Sequence, residues 1–380
     1  MCHAAATERY PQDDLRCSGL VLVQVSQHKQ RQNAVTLFTN SVKMPYFEIA
    51  AGLLLLLFAS LNVFQKFWKS RVKPSPSLLI IISGCDSGLG ELLAERLAGL
   101  GFTVFAGCLT EVGVVRWKGV PRVVAFQLDV CSDASVNAAE TRVKTWLSEG
   151  NVLNPRSIHC VVNNAGVGES GLVDWMPLSG FRRTMEVNFF GAVALTKALL
   201  PTLLDTAAKC RRERAPPPRI INVTSVAGLI AVPGLSAYCA SKFALEAFSD
   251  SMRLELSPWC CPVCLIEPSF LATPIIEGTK ERQLAAWKSL PSPTRRRWGD
   301  DYFNDALAQS EKTLASAESP HLGVDAMTDA VLHVSPNARY KAGTPGKTYL
   351  PFVAAMPAFL SDPIILWFGG RGIPEGILKK

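Results

Sequence analysis

The sequence lacks the cysteine pattern of a zinc-binding or disulfide-bonded protein. Its 11 cysteines are an odd and scattered set, and they outline no disulfide framework. Cys261 and Cys264 form a C-x-x-C pair, but a structural zinc site needs a second pair, which the sequence does not contain. A redox pair belongs at a helix N-terminus, whereas this pair opens an apolar strand. We therefore predict a structural role for both thiols.

Charged residues are also scarce, at 19% against 48% hydrophobic residues. This balance excludes a disordered chain and allows a large buried core. The net charge of +7 is concentrated near the start, because residues 1–73 hold nine basic and four acidic residues. The rest of the chain is nearly neutral and offers no basic patch, so we predict no nucleic-acid partner.

A long apolar run occupies residues 46–64. As a helix it would span about 28 Å, close to the thickness of a hydrocarbon core. Lys66 and Trp68 follow, as is typical of a membrane interface, and no small-residue cleavage site suggests a signal peptide. We predict a membrane-anchor helix over 46–68, with the folded domain on the cytosolic side. Residues 1–45 show no periodicity and predict a poorly ordered extension.

Apolar runs alternate with helical patterns across residues 76–275. Strands are predicted at 78–83, 103–107, 123–128, 158–162, 219–224 and 262–267. Helices are predicted at 91–99, 133–148, 180–204 and 236–256. This order predicts an α/β protein with a doubly wound Rossmann fold and a parallel sheet. A ligand would bind in the crevice at the carboxyl ends of the strands.

The remaining residues, 276–380, predict a substrate lid followed by an apolar, membrane-associated extension. Residues 275–315 are polar and helical in pattern, with Arg295–Arg297 expected in a solvated turn. Residues 349–369 are apolar, but three residues interrupt them: Pro357, Asp362 and Pro363. We expect a surface-embedded hairpin beside the mouth of the site rather than a second spanning helix.

The first strand leads into a G-x-x-x-G-x-G turn and then into a helix. Glycine permits a positive φ and the close approach of a pyrophosphate, and the helix N-terminus supplies free N–H groups. We predict a dinucleotide-binding loop. Its cofactor-binding residues are Gly84, Asp86, Ser87, Gly88, Leu89 and Gly90.

Two later strand ends add candidates for cofactor binding. Asp129 and Val130 follow the third strand, where the carboxylate could bind an adenine amino group or cap the next helix. Asn164, Ala165 and Gly166 follow the fourth strand, where small residues would let the backbone approach the cofactor.

A catalytic set is predicted around Tyr238 and Lys242, which are four residues apart and share one helix face. A tyrosine has a pKa near ~10, and a nearby cation lowers it. Such a pair can exchange a proton with a carbinol or carbonyl oxygen. Ser225 ends the fifth strand and could hold the substrate oxygen in the same crevice. Asn188 lies inside an apolar helix, where a buried amide needs hydrogen-bond partners.

These motifs, in this order, resemble the short-chain dehydrogenase/reductase family over about residues 76–275. The resemblance implies that Tyr238 is the general acid/base and that Lys242 lowers its pKa and binds the nicotinamide ribose. It also implies that Ser225 positions the substrate oxygen. Asn188 would order a water that relays protons to Lys242.

The chain departs from the family pattern after the sixth strand, where Ser269 replaces the usual glycine. Serine suits that turn only if its φ stays negative. Thr273, which resembles the family's carboxamide-side threonine, is retained. No acid directly ends the second strand, but Asp86 lies in the glycine loop, Glu111 follows the strand, and the nearest basic residue is Arg116. A 2′-phosphate needs a cation there, so we predict NAD rather than NADP.

Residues 185–191 and 252–259 resemble one branch of the family most closely. That branch holds membrane-bound 17β- and 11β-hydroxysteroid dehydrogenases, retinol dehydrogenases and mitochondrial 3-hydroxybutyrate dehydrogenase. The resemblance implies oxidation of a lipophilic alcohol, with a hydroxysteroid first, retinol second and 3-hydroxybutyrate third. A non-catalytic scaffold on the same fold is the last alternative. It also implies a homodimer in the endoplasmic reticulum membrane, with the mitochondrial membrane as the alternative.

Overall fold

The computed structural model describes residues 70–151, 155–369 and 372–378. The predicted extension over 1–45 and the anchor helix over 46–68 lie outside the described residues. Within the described part, seven parallel strands form one sheet in the order β3-β2-β1-β4-β5-β6-β7. The predicted Rossmann fold is therefore confirmed.

Each of the predicted strands is present, with ends within one residue of the prediction. The bounds of the seven strands are β1 (Leu78–Ser83), β2 (Thr103–Cys108), β3 (Val123–Gln127), β4 (Ser157–Asn163), β5 (Arg219–Val223), β6 (Val263–Pro268) and β7 (Arg339–Ala342). The last of these was not predicted, because it is short and alternates polar with apolar residues at the edge of the sheet.

Helices cover both faces of the sheet and build the C-terminal part. The bounds of the first seven are α1 (Gly88–Leu100), α2 (Glu111–Arg116), α3 (Asp133–Ser148), α4 (Leu178–Met185), α5 (Gly191–Glu213), α6 (Ser236–Glu255) and α7 (Thr279–Ser289). The others are α8 (Ser292–Trp298), α9 (Asp300–Ala315), α10 (His321–Leu332), α11 (Thr344–Lys347), α12 (Leu350–Ala355), α13 (Ala358–Gly369) and α14 (Glu375–Leu378). A π-helical turn, Glu186–Phe190, joins α4 to α5, and a 3₁₀ turn, Val226–Gly228, precedes α6.

The central strands are apolar on both faces because helices cover both. In β1, Ile80 packs in the cluster that contains Leu93 of α1, whereas Ile81 packs in the cluster of Leu195 and Leu199 of α5. Burying each such side chain stabilises the fold by about 1.5–3 kcal/mol. The strand order reverses direction between β1 and β4, which opens the ligand crevice at their carboxyl ends.

A helical stretch in the described part, Leu178–Glu213, has the length and hydropathy of a membrane span. Its residues Leu195, Leu199 and Leu203 are fully buried in the cluster under the sheet. A helix buried in this way belongs to the core of the fold, and it is distinct from the anchor predicted at 46–68.

The C-terminal part differs from the prediction in two places. Arg295–Arg297 lie in α8 rather than in a turn; Pro293 lies in the first turn of that helix, where proline is tolerated. Pro357 separates α12 from α13 as expected, but Pro363 lies inside α13. Inside a helix, proline removes one backbone hydrogen bond and crowds the preceding turn, so α13 continues through an unfavourable residue.

Candidate active site

The glycine loop between β1 and α1 has the backbone that its sequence predicts. Gly84 and Gly88 have φ values of 73° and 66°, which favour glycine. A Cβ on Gly90 would lie 2.5 Å from the Asn164 side-chain nitrogen, so the closely packed turn excludes any side chain there. Ser87 occupies the N-cap of α1 but makes no side-chain capping hydrogen bond. This tight cradle at a helix N-terminus fits the pyrophosphate of a dinucleotide.

A hydroxyl that the sequence analysis missed fixes this loop to the end of β4. The Oγ of Ser83 accepts hydrogen bonds from the backbone nitrogens of Asn164 and Ala165, both at 3.1 Å. The Asn164 amide donates back to the carbonyls of Ser83 and Gly84 at 3.0 Å. A hydroxyl ending an otherwise apolar strand is the signal that could have identified Ser83.

Asp86 directs its carboxylate toward the end of β2. It accepts hydrogen bonds from the backbone of Leu109 at 2.7 Å and from the backbone and hydroxyl of Thr110 at 2.9 and 2.7 Å. Arg116 donates to the Asp86 carbonyl at 3.1 Å and pairs with Glu91 at 2.6 Å. A fixed carboxylate therefore stands at the β2 turn, beside a cation that already has a partner.

Asp129 and Val130, which follow β3, have different surroundings. Asp129 accepts a hydrogen bond from the Cys131 backbone at 2.9 Å. The helix-cap alternative for Asp129 is wrong, because Ser132 is the N-cap of α3. Val130 is buried. A Cβ added to Gly191 of α5 would lie only 2.9 Å from the Cβ of Val130. A cofactor would therefore meet the backbone of Val130 rather than its side chain.

The loop after β6 lies opposite the glycine loop. A Cβ on Gly88 would lie 3.4 Å from Pro274 and 3.7 Å from the Cβ of Thr273. Ser269 does not have a positive φ, as the turn requires of a serine. The side chain of Leu89 packs beside Gly323 of α10, so this residue faces the site through its backbone.

Tyr238 and Lys242 lie on one face of α6. The Lys242 ammonium is 5.6 Å from the centre of the Tyr238 ring and donates to the Val223 carbonyl at 2.9 Å. Burial lowers the pKa of Lys242 to about 8, and the Glu246 charge acts in the opposite direction. Burial raises the pKa of half-buried Tyr238 to about 12, while its hydrogen bond with Ser225 acts to lower it. The pKa of Tyr238 is therefore raised, contrary to the expected lowering, because burial outweighs the hydrogen bond with Ser225.

Two more residues of the predicted catalytic set, Ser225 and Asn188, lie near Tyr238 and Lys242. Ser225 is buried at the end of β5 and donates its hydroxyl to the Pro268 carbonyl at 3.3 Å. A Cβ on Gly166 would lie 3.3 Å from the Asn188 side-chain oxygen and 3.7 Å from the Lys242 ammonium. The segment after β4 thus borders both the amide and the cation of the predicted catalytic set.

Asn188 occupies the π-helical turn, where both its side-chain oxygen and its side-chain nitrogen are hydrogen-bonded. Its oxygen accepts from the Val167 backbone nitrogen at 2.8 Å, and its nitrogen donates to the Val167 carbonyl and to the Ser241 hydroxyl at 3.0 Å. Ser241 in turn donates to the Tyr238 carbonyl at 2.7 Å. Both N–H groups of Asn188 are engaged, so a water held by this side chain would have to donate to its oxygen.

Comparison with known proteins places this geometry in a family. The profile described as short chain dehydrogenase matches residues 78–284. The chain belongs to the short-chain dehydrogenase family. It is therefore an oxidoreductase that acts on alcohol-type substrates with a nicotinamide cofactor, NAD or NADP.

Two relatives and one solved structure illustrate the range of similarity. Mouse retinol dehydrogenase 5 is 33% identical, over 77% of this chain and 89% of that protein. Mouse mitochondrial D-beta-hydroxybutyrate dehydrogenase is 32% identical, over 73% of this chain and 80% of that protein. A Burkholderia cenocepacia short chain dehydrogenase solved with NADP has a TM-score of 0.55 and 22% identity, and the match covers 75% of this chain and 96% of that one. The last similarity shows the fold alone.

This dehydrogenase carries a partly buried charge cluster that the sequence analysis missed. Arg339 on β7 pairs with Glu246, with Glu267 at 2.6 Å and with Asp250 at 2.6 Å. Glu246 lies one turn after Lys242 on α6, and Glu267 is fully buried. Burial raises the pKa of Glu246. Through Glu246, this cluster places negative charge near Lys242 and favours its protonated form.

The C-x-x-C pair lies away from this site. Cys261 and Cys264 are buried, and burial raises the pKa of each thiol to about 12. A thiol with so high a pKa is a poor nucleophile and metal ligand at neutral pH, in agreement with a structural role.

Proposed function

We propose that this dehydrogenase uses NAD to oxidise a hydroxyl group on a lipophilic alcohol. The observation that carries the proposal is the convergence of Ser225, Tyr238, Lys242 and Asn188 beside the glycine loop. A bound nicotinamide supplies the hydride acceptor. The Tyr238 oxygen would take the proton of the alcohol O–H bond while the carbinol carbon loses its hydride to that acceptor and becomes a carbonyl carbon.

Each side chain has a defined part in that step. Tyr238 must be a phenolate to accept the proton, and its raised pKa opposes this. The Lys242 ammonium and the positive ring of bound NAD⁺ would favour the phenolate. Ser225 would hold the substrate oxygen next to Tyr238. Asn188 fixes the segment after β4 through Val167, and its remaining lone pair could hold a water that exchanges protons with Lys242.

The preference for NAD is supported by the charges at the end of β2. The carboxylate of Asp86 would repel a 2′-phosphate, and the nearby guanidinium of Arg116 is already paired with Glu91. We expect kcat/KM with NAD to exceed that with NADP by at least ~10-fold, which corresponds to about 1.4 kcal/mol. Equal values would contradict this assignment.

A lipophilic substrate is supported by the hydrogen bonds of two C-terminal cations, Arg282 and Arg297. Arg282 donates to the carbonyls of Glu277 and Ile275, at 2.5 and 3.3 Å. Arg297 pairs with Asp174 at 2.5 Å. These guanidinium groups are engaged within the protein rather than directed at a substrate carboxylate, which favours an uncharged alcohol over 3-hydroxybutyrate.

Hydroxysteroids and retinoids remain the two lipophilic candidates. Residues 185–191 and 252–259 resemble the branch that holds both kinds of enzyme, and the name of the mouse retinol dehydrogenase supports a retinoid. Both substrates are rigid, apolar alcohols that partition into lipid, so both suit the same proposed site.

We infer that the C-terminal helices lie against a membrane. Phe352, Phe359 and Trp367 of α12 and α13 are 71%, 76% and 66% exposed. This apolar surface follows α11, where a Cβ on Gly346 would lie 3.1 Å from Val226, the neighbour of Ser225. A lipid surface would cover these side chains and deliver substrate beside the site. With the apolar run at 46–64, we propose a membrane-bound enzyme of the endoplasmic reticulum.

We also propose a homodimer formed through the long helices. Phe190 at the start of α5 and Phe243 on α6 are exposed despite their apolar rings. A second copy packed on these helices would bury both. Light scattering of the detergent-solubilised protein should give the mass of two chains, and the mass of one chain would contradict the proposal.

The proposed function is tested on membranes that contain the full chain. The absorbance of reduced nicotinamide is followed with NAD or NADP against estradiol, corticosterone, all-trans-retinol and 3-hydroxybutyrate. Oxidation of a steroid or of retinol with NAD supports the proposal and separates the two candidates. Oxidation of 3-hydroxybutyrate alone, or no turnover with any of these alcohols, would contradict it.

A further inference from the structure

A carboxylate outside the catalytic set binds the loop that leads to Thr273. Glu318 lies in the segment between lid helix α9 and helix α10. Its carboxylate accepts hydrogen bonds from the Thr344 hydroxyl at 2.7 Å, from the Thr344 backbone nitrogen at 2.8 Å and from the Ser269 hydroxyl at 3.3 Å. These bonds lower the pKa of Glu318, with that of the Thr344 hydroxyl first, so the carboxylate is ionised at neutral pH.

The backbone of Glu318 holds the same loop. Its nitrogen donates to the Phe270 carbonyl at 2.9 Å, and its carbonyl accepts from the Ala272 nitrogen at 2.8 Å. Ser269 also donates its backbone nitrogen to the Ala342 carbonyl at 2.8 Å. The loop over 269–273 is thus bound on one side by the end of β7 and on the other by the segment that follows the lid.

Gly343 leaves the space that the serine needs. Its φ is 98°, a conformation that favours glycine. A Cβ at this position would overlap the Ser269 hydroxyl and lie 2.7 Å from the Glu318 carboxylate. The serine, the carboxylate and the glycine therefore fit together as one local arrangement, which we call the Glu318 clasp: Ser269, Glu318, Gly343 and Thr344.

We propose that Glu318, acting through Ser269, is a positioning residue that fixes the Thr273 loop over the cofactor and joins it to the substrate lid. The inference rests on the proposed function, because it assumes that a dinucleotide binds in the crevice that this loop and the glycine loop border. Hydrogen bonds to an ionised carboxylate are stronger than neutral ones, so the clasp lowers the entropy that the loop would lose when the cofactor binds.

The clasp is tested by a double-mutant cycle on the full chain in detergent. NADH binding is measured by fluorescence for the wild type, Glu318→Gln, Ser269→Ala and the double variant, with Glu281→Gln as the control. Glu281 is an exposed carboxylate of α7, on the lid and outside the clasp. We expect each single clasp variant to raise the Kd for NADH by about 5-fold. The double variant should bind NADH no more weakly than the weaker-binding single variant, because the two substitutions remove the same interaction.

Steady-state kinetics distinguish positioning from general damage. The KM for NAD should rise in parallel with the Kd, while kcat stays within about 2-fold, because the loop is ordered once the cofactor is bound. Additive effects, or a lower melting temperature with unchanged NADH affinity, would overturn the proposal. If Glu318→Gln does not fold, the Kd for NADH and the KM for NAD of Ser269→Ala test the proposal instead. A wild-type chain that binds no NADH would refute the proposed function itself, and the clasp with it.

Discussion

Replacing Lys242 with methionine should stabilise the protein at neutral pH while removing its activity. The side chain is 4% exposed, and burial lowers its pKa from 10.5 to about 8. The folded protein therefore binds this proton less tightly than the unfolded chain. The protonated lysine destabilises the fold below about pH 8, and this cost disappears as pH rises toward 10.5. At about 1.4 kcal/mol for each pKa unit, the cost is roughly 3 kcal/mol.

A smaller effect opposes this gain. Methionine cannot donate to the Val223 carbonyl, which the lysine reaches at 2.9 Å, and an unpaired buried carbonyl costs about 1 kcal/mol. The net prediction is that Lys242→Met is about 2 kcal/mol more stable at pH 7 and about 1 kcal/mol less stable near pH 10.5. The catalytic lysine would thus be retained for activity at a cost in stability.

Urea unfolding of the detergent-solubilised full chain measures this difference directly. Wild type and Lys242→Met are compared at the same series of pH values, so the titration of buried groups such as Cys261 and Tyr340 cancels in the subtraction. A variant less stable than the wild type at pH 7 would refute the reasoning. A difference that does not change with pH would refute it equally.

Three further changes test other parts of the structure. Asn188→Ala leaves both backbone groups of Val167 without their side-chain partner and should lower the unfolding free energy by about 2–3 kcal/mol in urea; a loss under about 0.5 kcal/mol would contradict this. Gly90→Ala places a methyl group against the Gly84 carbonyl, so NADH affinity measured by fluorescence should fall at least ~10-fold with an unchanged circular dichroism spectrum, and unchanged affinity would be the contrary result. Arg339→Met removes the cation that pairs with buried Glu246 and Glu267, whereas partly exposed Asp250 keeps Arg253, so it should cost about 3 kcal/mol in urea unfolding, with partial recovery in Arg339→Lys; a stable methionine variant would show that the cluster is dispensable.

The order and bounds of the buried elements could be predicted from the sequence because their patterns are local. The run at Leu78–Ser83 is apolar on both faces, which is typical of a central strand covered by helices. The strand Arg339–Ala342 could not be found in this way. It is short, lies at the sheet edge and exposes alternate side chains, so its periodicity resembles that of many loops.

The catalytic positions could likewise be predicted, because Tyr238 and Lys242 form a motif within one helix. Contacts between distant segments could not. Arg339 reaches Glu246 across 93 residues, and Glu318 reaches Ser269 across 49. Each of these charged side chains is unremarkable in its own sequence neighbourhood, and it acquires a partner only when the sheet and the C-terminal helices are assembled.

The Tyr238 hydroxyl carries the proposed proton transfer. Tyr238→Phe removes that oxygen and keeps the ring that packs beside Lys242. With the best alcohol from the substrate panel, we predict a fall in kcat of about 10³-fold, within the range for losing a general acid/base, and a Kd for NADH within about 2-fold of the wild type. Turnover that persists in Tyr238→Phe with unchanged NADH binding would contradict the central claim.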